Sequence, residues 1–325
     1  MRDAFRTVGL ITIIAVYFLI MVGGVVRASG AGMGCPDWPK CFGQWVPPTD
    51  ESQLPENYQE IYGDHGYADV PFNAVKTWTE YVNRLVGVSI GFLIFLTLVC
   101  AVGYWSDKRH IFWLSLAAFI LVGFQGWLGS VVVASNLSPW LVTVHMLVAL
   151  VIVGLLITAR AVATTLDYES PFHPMLGKLL LACLILSFIQ IAIGTHVREG
   201  IDTVALDLGP DQRSNWVGAV GFSVLVHRSL SIVILFTNLV ALWLLRQNGP
   251  VPVSMIRAAY GIVACITLEI VVGAVMFYAA IPAVLQPVHL LLAAVMAGLQ
   301  WYLWIAARNV APEMIGSSEY AAAPA

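Results

Sequence analysis

Eight apolar runs, each long enough to cross a lipid bilayer, leave this chain few folds to choose from. They lie near residues 8–27, 79–104, 111–133, 140–160, 176–197, 219–245, 256–278 and 286–307. A hydrocarbon core about 30 Å thick needs roughly 20 apolar residues in a helix. Inside lipid, only helices and closed barrels satisfy every backbone polar group. The runs predict an all-α membrane protein with eight transmembrane helices. Only 11% of the 325 residues are charged, against about 25% in soluble domains. The first run, Val8 to Val26, is longer than a signal-peptide core of roughly 7–15 residues. It reads as a retained helix, with Ala28-Ser29-Gly30 keeping cleavage open as an alternative.

Four polar positions fall near the ends of these runs at related places. Asn83 precedes His145 by 62 residues, and His227 precedes His289 by 62. Asn83 and His227 are each followed by an arginine, Arg84 and Arg228. The chain reads as one four-helix module used twice at an offset of 144, giving two tandem pseudo-symmetric bundles over 1–165 and 166–310. Loop lengths repeat as well. The first outer loop of each half is long, near 28–78 and 198–218, and the second is short. The remainder, 311–325, carries small residues from Ser317 onward and is expected to be a disordered tail.

Charge sets the orientation. With the N-terminus in the cytoplasm, the inner segments carry nine Lys and Arg against six acids, and the outer side seven against twelve. This follows the positive-inside rule, modestly, and puts both termini inside and the long loop outside. Of the outer arginines, Arg27, Arg84, Arg198 and Arg228 sit at helix ends. They either snorkel to the interface or meet anionic groups held there. The net charge is −3, and no nucleic-acid partner is expected.

One histidine in a membrane helix is most often a tie between helices. Three at repeat-related positions point to a metal instead. His227 and His289 begin helices that run in the same direction, so they should share a depth. A neutral imidazole gives one nitrogen to a metal and its other N–H to a nearby acceptor. Cysteine or carboxylate clusters of the kind that hold zinc or di-iron are lacking. Haem iron gripped from two sides is the best candidate, and without C-x-x-C-H it would be non-covalent. Arg228 is then a candidate partner for a haem propionate, or a simple helix anchor. Gln125 and Gly129 lie twenty and sixteen residues before His145, and Glu269 and Gly273 likewise before His289. The fifth run repeats the form in Gln190 and Gly194. Glycine allows close helix approach and an amide ties helices, so packing explains the glutamines first. Glu269 is different, because a carboxyl deep in a bilayer is costly unless protonated or paired. A structural and a proton-handling role both stand open.

Cys100, Cys183 and Cys265 lie in apolar runs and read as packing residues. Cys35 and Cys41 share the outer loop six positions apart. On the oxidising face a disulfide is the default, and the spacing suits either a staple or a labile, redox-active bond.

The segment Gly30-Ala31-Gly32-Met33-Gly34-Cys35-Pro36-Asp37-Trp38-Pro39-Lys40-Cys41-Phe42-Gly43-Gln44-Trp45 resembles the first outer loop of haem A synthases. Gly194-Thr195-His196-Val197-Arg198-Glu199 resembles that family's fifth-helix ending, and Glu80-Tyr81-Val82-Asn83-Arg84 its glutamate–histidine–arginine motif. With His145, His227 and His289, the resemblance reaches to about residue 308. It implies an enzyme that oxidises a methyl group of haem O to the formyl group of haem A by two hydroxylations, for cytochrome oxidase assembly. It implies a haem b held by His227 and His289, substrate haem O in the first half with Glu80 and His145, and a catalytic or electron-delivery role for the cysteine pair. Haem O, the enzyme supplying it, an electron donor or acceptor and the lipid of a bacterial inner membrane would be its partners, with a homo-oligomer also allowed.

Asn83 departs from the family's histidine. A neutral amide is a poor iron ligand, so the first site is expected to be five-coordinate through His145, with Asn83 able to hydrogen-bond a species on the open face. His65 or His196 reaching in is the alternative. Glu80 has two local readings besides catalysis, a capping box with Thr77 and an i,i+4 pair with Arg84. Two other classes compete for the whole chain: a dihaem b cytochrome serving quinone, and a transporter. Ligands near one membrane face disfavour the transporter.

Overall fold

The computed structural model describes residues 1–68, 70–164, 174–247 and 251–308. Eight long helices are present: α1 Arg2–Ala28, α2 Ala74–Ala101, α3 Arg109–Ala134, α4 Pro139–Ala163, α5 Pro174–Leu208, α6 Phe222–Gln247, α7 Val253–Tyr278 and α8 Leu285–Arg308. All eight are long and apolar enough to cross a membrane, and no strand occurs among the described residues. Their outward faces are apolar, with Ile14 and Phe18 on α1, Phe92 on α2 and Phe236 on α6 exposed. Such faces suit lipid, and the family of eight helices makes this an integral membrane protein. The tail expected over 311–325 lies outside the described residues.

Three boundaries lie well away from the expected ones: the first helix starts at Arg2 rather than near 8, and the other two have local causes. The second helix starts at Ala74 rather than near 79, because Asn73 caps it by accepting the Lys76 N–H at 3.0 Å. Thr77 is therefore inside the helix, and the Thr77–Glu80 capping box does not form; Thr77 Oγ1 instead donates to Gly34 O at 2.8 Å. The fifth helix runs eleven residues past its expected end, to Leu208. That extension is amphipathic. Ile201 packs in a small core with Val217 and Val224, while Arg198 and Asp202 pair at 2.7 Å, one turn apart.

Helices 1 to 4 pack in a ring, α1 on α2, α2 on α3, α3 on α4 and α4 on α1. Helices 5 to 8 repeat that order of neighbours. In each ring the second and fourth helices stand diagonally opposite. The two rings meet along α1–α8, α4–α8 and α4–α5. Gly154 leaves room there for Trp301, whose Nε1 donates to Thr158 Oγ1 at 2.9 Å. One end of the first ring is tied by Arg2–Asp107 at 2.6 Å and by Lys108 Nζ donating to Val162 O at 3.1 Å. At the opposite end Arg27 of α1 pairs with Asp202 of α5.

The loop between α1 and α2 has a core of its own. Phe42 lies edge-on to Tyr58, Tyr62, Tyr67 and Phe72. Burial raises the phenols of Tyr58, Tyr62 and Tyr67 above their ordinary range, so they stay protonated donors. Tyr67 Oη donates to Met33 O at 2.7 Å. Such a loop needs this core, because its unpaired backbone would otherwise pay desolvation without packing.

Candidate functional site

His227 and His289 face each other across the second ring. Their ring centroids are 6.3 Å apart at an interplanar angle of 66°. They sit on the diagonal pair α6 and α8, so the space between them is the bundle interior. Glu269 Oε2 on α7 lies 2.6 Å from His289 Nδ1. This contact sets the carboxyl, deep in the apolar bundle, beside an imidazole, without hydrogen-bond geometry at Nδ1, and it leaves Nε2 of His289 for another partner.

The polar–x–x–x–glycine pattern acts the same way three times. A methyl on Gly129 would lie 3.5 Å from His145 Cε1, on Gly194 3.1 Å from His227 Cε1, and on Gly273 3.7 Å from His289 Cε1. Each histidine ring thus lies against a glycine of the preceding helix. One turn earlier the polar residue reaches the same histidine. Gln125 Nε2 donates to His145 O and Gln190 Nε2 to His227 O, both at 2.9 Å; Glu269 meets the His289 ring itself. The glutamines are helix ties, as packing predicted, and they tie the residues that carry imidazole.

The fit to a metalloporphyrin can be tested on these atoms. His145 and His227 have buried Nδ1 atoms with no hydrogen-bond partner among the described residues. Two imidazoles facing across a cradle of glycines suit an iron with two axial ligands. No group of three or more His, Cys, Asp or Glu side chains that could hold a metal ion occurs among the described residues. In the first ring His145 on α4 stands diagonally from α2, where Asn83 presents a buried Oδ1 without a partner.

Above Asn83 sits the cysteine loop. Cys35 and Cys41 form a disulfide with Cα atoms 4.9 Å apart. Glu80, only 4% exposed, accepts the Cys35 N–H on Oε2 at 2.9 Å and Arg84 Nη2 on Oε1 at 2.5 Å. Arg84 Nη1 donates to Asp37 O at 2.7 Å and Lys40 O at 2.9 Å, and Nη2 to Cys35 O at 3.2 Å. The i,i+4 pair of the sequence reading is present, and it clamps the disulfide loop onto α2. Sequence reasoning missed Asp37, whose carboxylate accepts the N–H groups of Phe42 and Gly43 at 2.6 and 2.8 Å. An aspartate ahead of a glycine turn was the available signal.

Gly34 makes the docking testable. A Cβ there would lie 2.4 Å from Lys76 O and 2.8 Å from Thr77 N, both backbone atoms that cannot rotate away. Overpacking of this kind costs about 1–3 kcal/mol. Gly34→Ala is expected to lift the loop and let a mild reductant reach Cys35 and Cys41, whereas in the parent protein both, buried, are expected to alkylate only after strong reduction. Equal protection in both proteins, measured by thiol alkylation and mass spectrometry, would refute the close packing.

The remaining predicted residues are placed less centrally. Arg228 lies over the Phe277 ring, its Cζ 4.7 Å from the centroid. Arg27 and Arg198 converge on Asp202 rather than standing free. The His196 side chain is 70% exposed and beside Glu199, so it does not reach into the bundle as the alternative required. His65 lies in a helical turn of the loop between α1 and α2, Gly63–His65. Cys100 and Cys183 are buried, and Cys265 partly so.

The chain is similar to known proteins along most of its length. A heme A synthase of Shewanella oneidensis is 28% identical over 215 residues, 64% of this chain and 61% of its own length. One of Shouchella clausii is 25% identical over 283 residues, 82% of each chain. One of Rhizorhabdus wittichii is 29% identical over 236 residues, 66% of this chain and 65% of its own. The family model of cytochrome oxidase assembly proteins named COX15-CtaA matches residues 6–300, from the first helix almost to the end of the last. The chain belongs to that family of cytochrome oxidase assembly proteins.

Proposed function

We propose that this protein is a haem A synthase, oxidising a methyl group of haem O to the formyl group of haem A by two successive hydroxylations. One observation carries the reading: the second ring offers two facing imidazoles, whereas the first offers a single imidazole across from an amide. A bis-histidine site suits electron transfer, and a site with one strong ligand suits a substrate that must come and go. Relatives named heme A synthase support it.

The two rings, 1–165 and 166–310, are taken as tandem copies. His227 and His289 would hold a haem b, which when bound supplies one-electron transfer. Glu269 orients His289 and makes it the more electron-rich ligand. Substrate haem O would lie between α2 and α4, held by His145. Asn83, uncharged and with an unpartnered Oδ1, orients polar groups on the open side. Glu80 keeps the disulfide loop over that side and, one turn before Asn83 on the same helix, is a carboxylate available for a proton. Arg84 works through the loop, and Arg228 stabilises the outer end of α6. The N- and C-termini lie in the cytoplasm of a bacterial inner membrane, and the cysteine loop outside.

Mass spectrometry of haems extracted from the purified protein tests the reading. Haem O, haem A or a hydroxylated intermediate is expected beside haem b. Haem b alone, at two per chain, would favour the electron-carrying cytochrome instead.

A further inference from the structure

The spacing that pairs the histidines also pairs a second set of polar side chains. Asn238 and Gln300 are 62 residues apart, and each follows its histidine by 11. Eleven residues are close to three whole turns, about 16 Å of helix. Each amide therefore lies on the same helix face as its histidine, deeper in the bundle. Gln300 Nε2 donates to Asn238 Oδ1 at 3.1 Å. Both residues are buried, at 0% and 4% exposure. Asn238 Nδ2 donates to Ile234 O of its own helix at 2.8 Å, which leaves its Oδ1 aimed across the bundle. The bond thus joins α6 to α8, the diagonal pair that carries His227 and His289. Ile234 and Met296, between the two levels, belong to the same core.

The first ring lacks this pair. At the offset of 144 the corresponding residues are Ile94 and Leu156, both buried in one apolar cluster. The contrast has a physical meaning. Apolar contacts between helices in lipid are weakly directional, so diagonal helices can slide or turn with little penalty. An amide pair in an apolar core permits one register, because any other leaves two polar groups unpaired. A buried asparagine fixes register in coiled coils for the same reason.

We propose that the Asn238–Gln300 hydrogen bond is a register lock that holds His227 opposite His289 and keeps the second ring closed on its haem. Among the described residues the first ring has no such bond between its diagonal helices, its polar contact near this level, Thr12 with Thr97, joining only the neighbours α1 and α2, and is left free to exchange its ligand. Asn238 and Gln300 are positioning residues, and the inference rests on the bis-histidine reading of the second ring.

The test is Asn238→Ile combined with Gln300→Leu, which copies the pair the first ring already carries and so keeps a packed core. Transfer of haem b to excess apomyoglobin should accelerate about 3- to 18-fold, the range set by measured interhelical hydrogen bonds in membranes. The low-spin electron paramagnetic resonance signal should broaden. The exchanged pair, Asn238→Gln with Gln300→Asn, should restore both. A second measurement needs no haem. Leu225 and Val288 are exposed near the His-bearing ends of α6 and α8. Spin labels at Leu225→Cys and Val288→Cys, with the three free cysteines replaced by alanine, should give one narrow distance in the haem-free parent and a broad one in the double variant. Unchanged haem transfer together with an unchanged distance distribution would overturn the lock. Should His227→Ala leave the haem spectrum intact, the ligand reading fails, and the haem-free distances still decide the lock.

Discussion

Alanine at either His227 or His289 is expected to abolish the low-spin b-type spectrum of the purified protein. The two imidazoles face at 6.3 Å on diagonal helices, and among the described residues no third imidazole is placed to substitute. His196 is exposed beside Glu199, and His145 belongs to the other ring. Removing one imidazole leaves a single axial ligand, so the signal should vanish rather than fade. Glu269→Gln separates ligation from support. It keeps both imidazoles and hence the low-spin spectrum, while haem affinity falls by about 10- to 100-fold, as for other second-layer partners of metal ligands. The reduction potential should rise as well, since a carboxylate 2.6 Å from His289 Nδ1 favours the oxidised iron; for one electron, each tenfold change is about 59 mV. Absorbance and paramagnetic resonance of the single variants decide the matter. An unchanged spectrum in both alanine variants would sink the assignment.

Glu80→Gln is expected to do more harm than a helix-capping role could explain. Both carboxylate oxygens are acceptors, one for the Cys35 N–H and one for Arg84. A glutamine has one oxygen and one NH2 group, so it must point a donor at a donor. Leaving a buried partner unsatisfied costs about 1–3 kcal/mol, and stranding the largely buried Arg84 about 3–5 kcal/mol. The loop should loosen, the disulfide become reducible, and haem A yield fall with haem O accumulating. Haem b should stay, because the second ring is untouched. The two measurements together sort the roles. Lost yield with a protected disulfide identifies direct participation in the oxidation, and lost yield with an exposed disulfide identifies loop positioning. Wild-type yield with a protected disulfide would refute both.

The helices were legible because their signal is long and redundant: twenty apolar residues cannot be hidden by a few substitutions. The equal spacing of the two histidine-bearing pairs was legible in the numbering itself, and the order of neighbouring helices is the same in both rings. The beginning of α2 was misread because Asn73, a short polar cap ahead of a mixed segment, outcompeted the Thr77 signal. The end of α5 was misread because Arg198, Glu199 and Asp202 look like loop in a hydropathy profile. They are helical here because Arg198 and Asp202 pair one turn apart and Arg27 reaches across from α1.

What the sequence determined by itself was everything that periodicity and spacing encode: eight membrane helices, two rings, and three imidazoles at repeat-related depths. Each follows from local chemistry, since a helix in lipid must satisfy its own backbone. Only the tertiary structure decided which groups meet. It seated each histidine on a glycine, set Glu269 beside His289, and turned Glu80 and Arg84 from a local i,i+4 pair into the clamp of a disulfide loop. It also joined Asn238 to Gln300 across the bundle. Such partners from different elements lie 16 to 62 residues apart, and their meeting depends on helix rotation and crossing, which hydropathy does not specify.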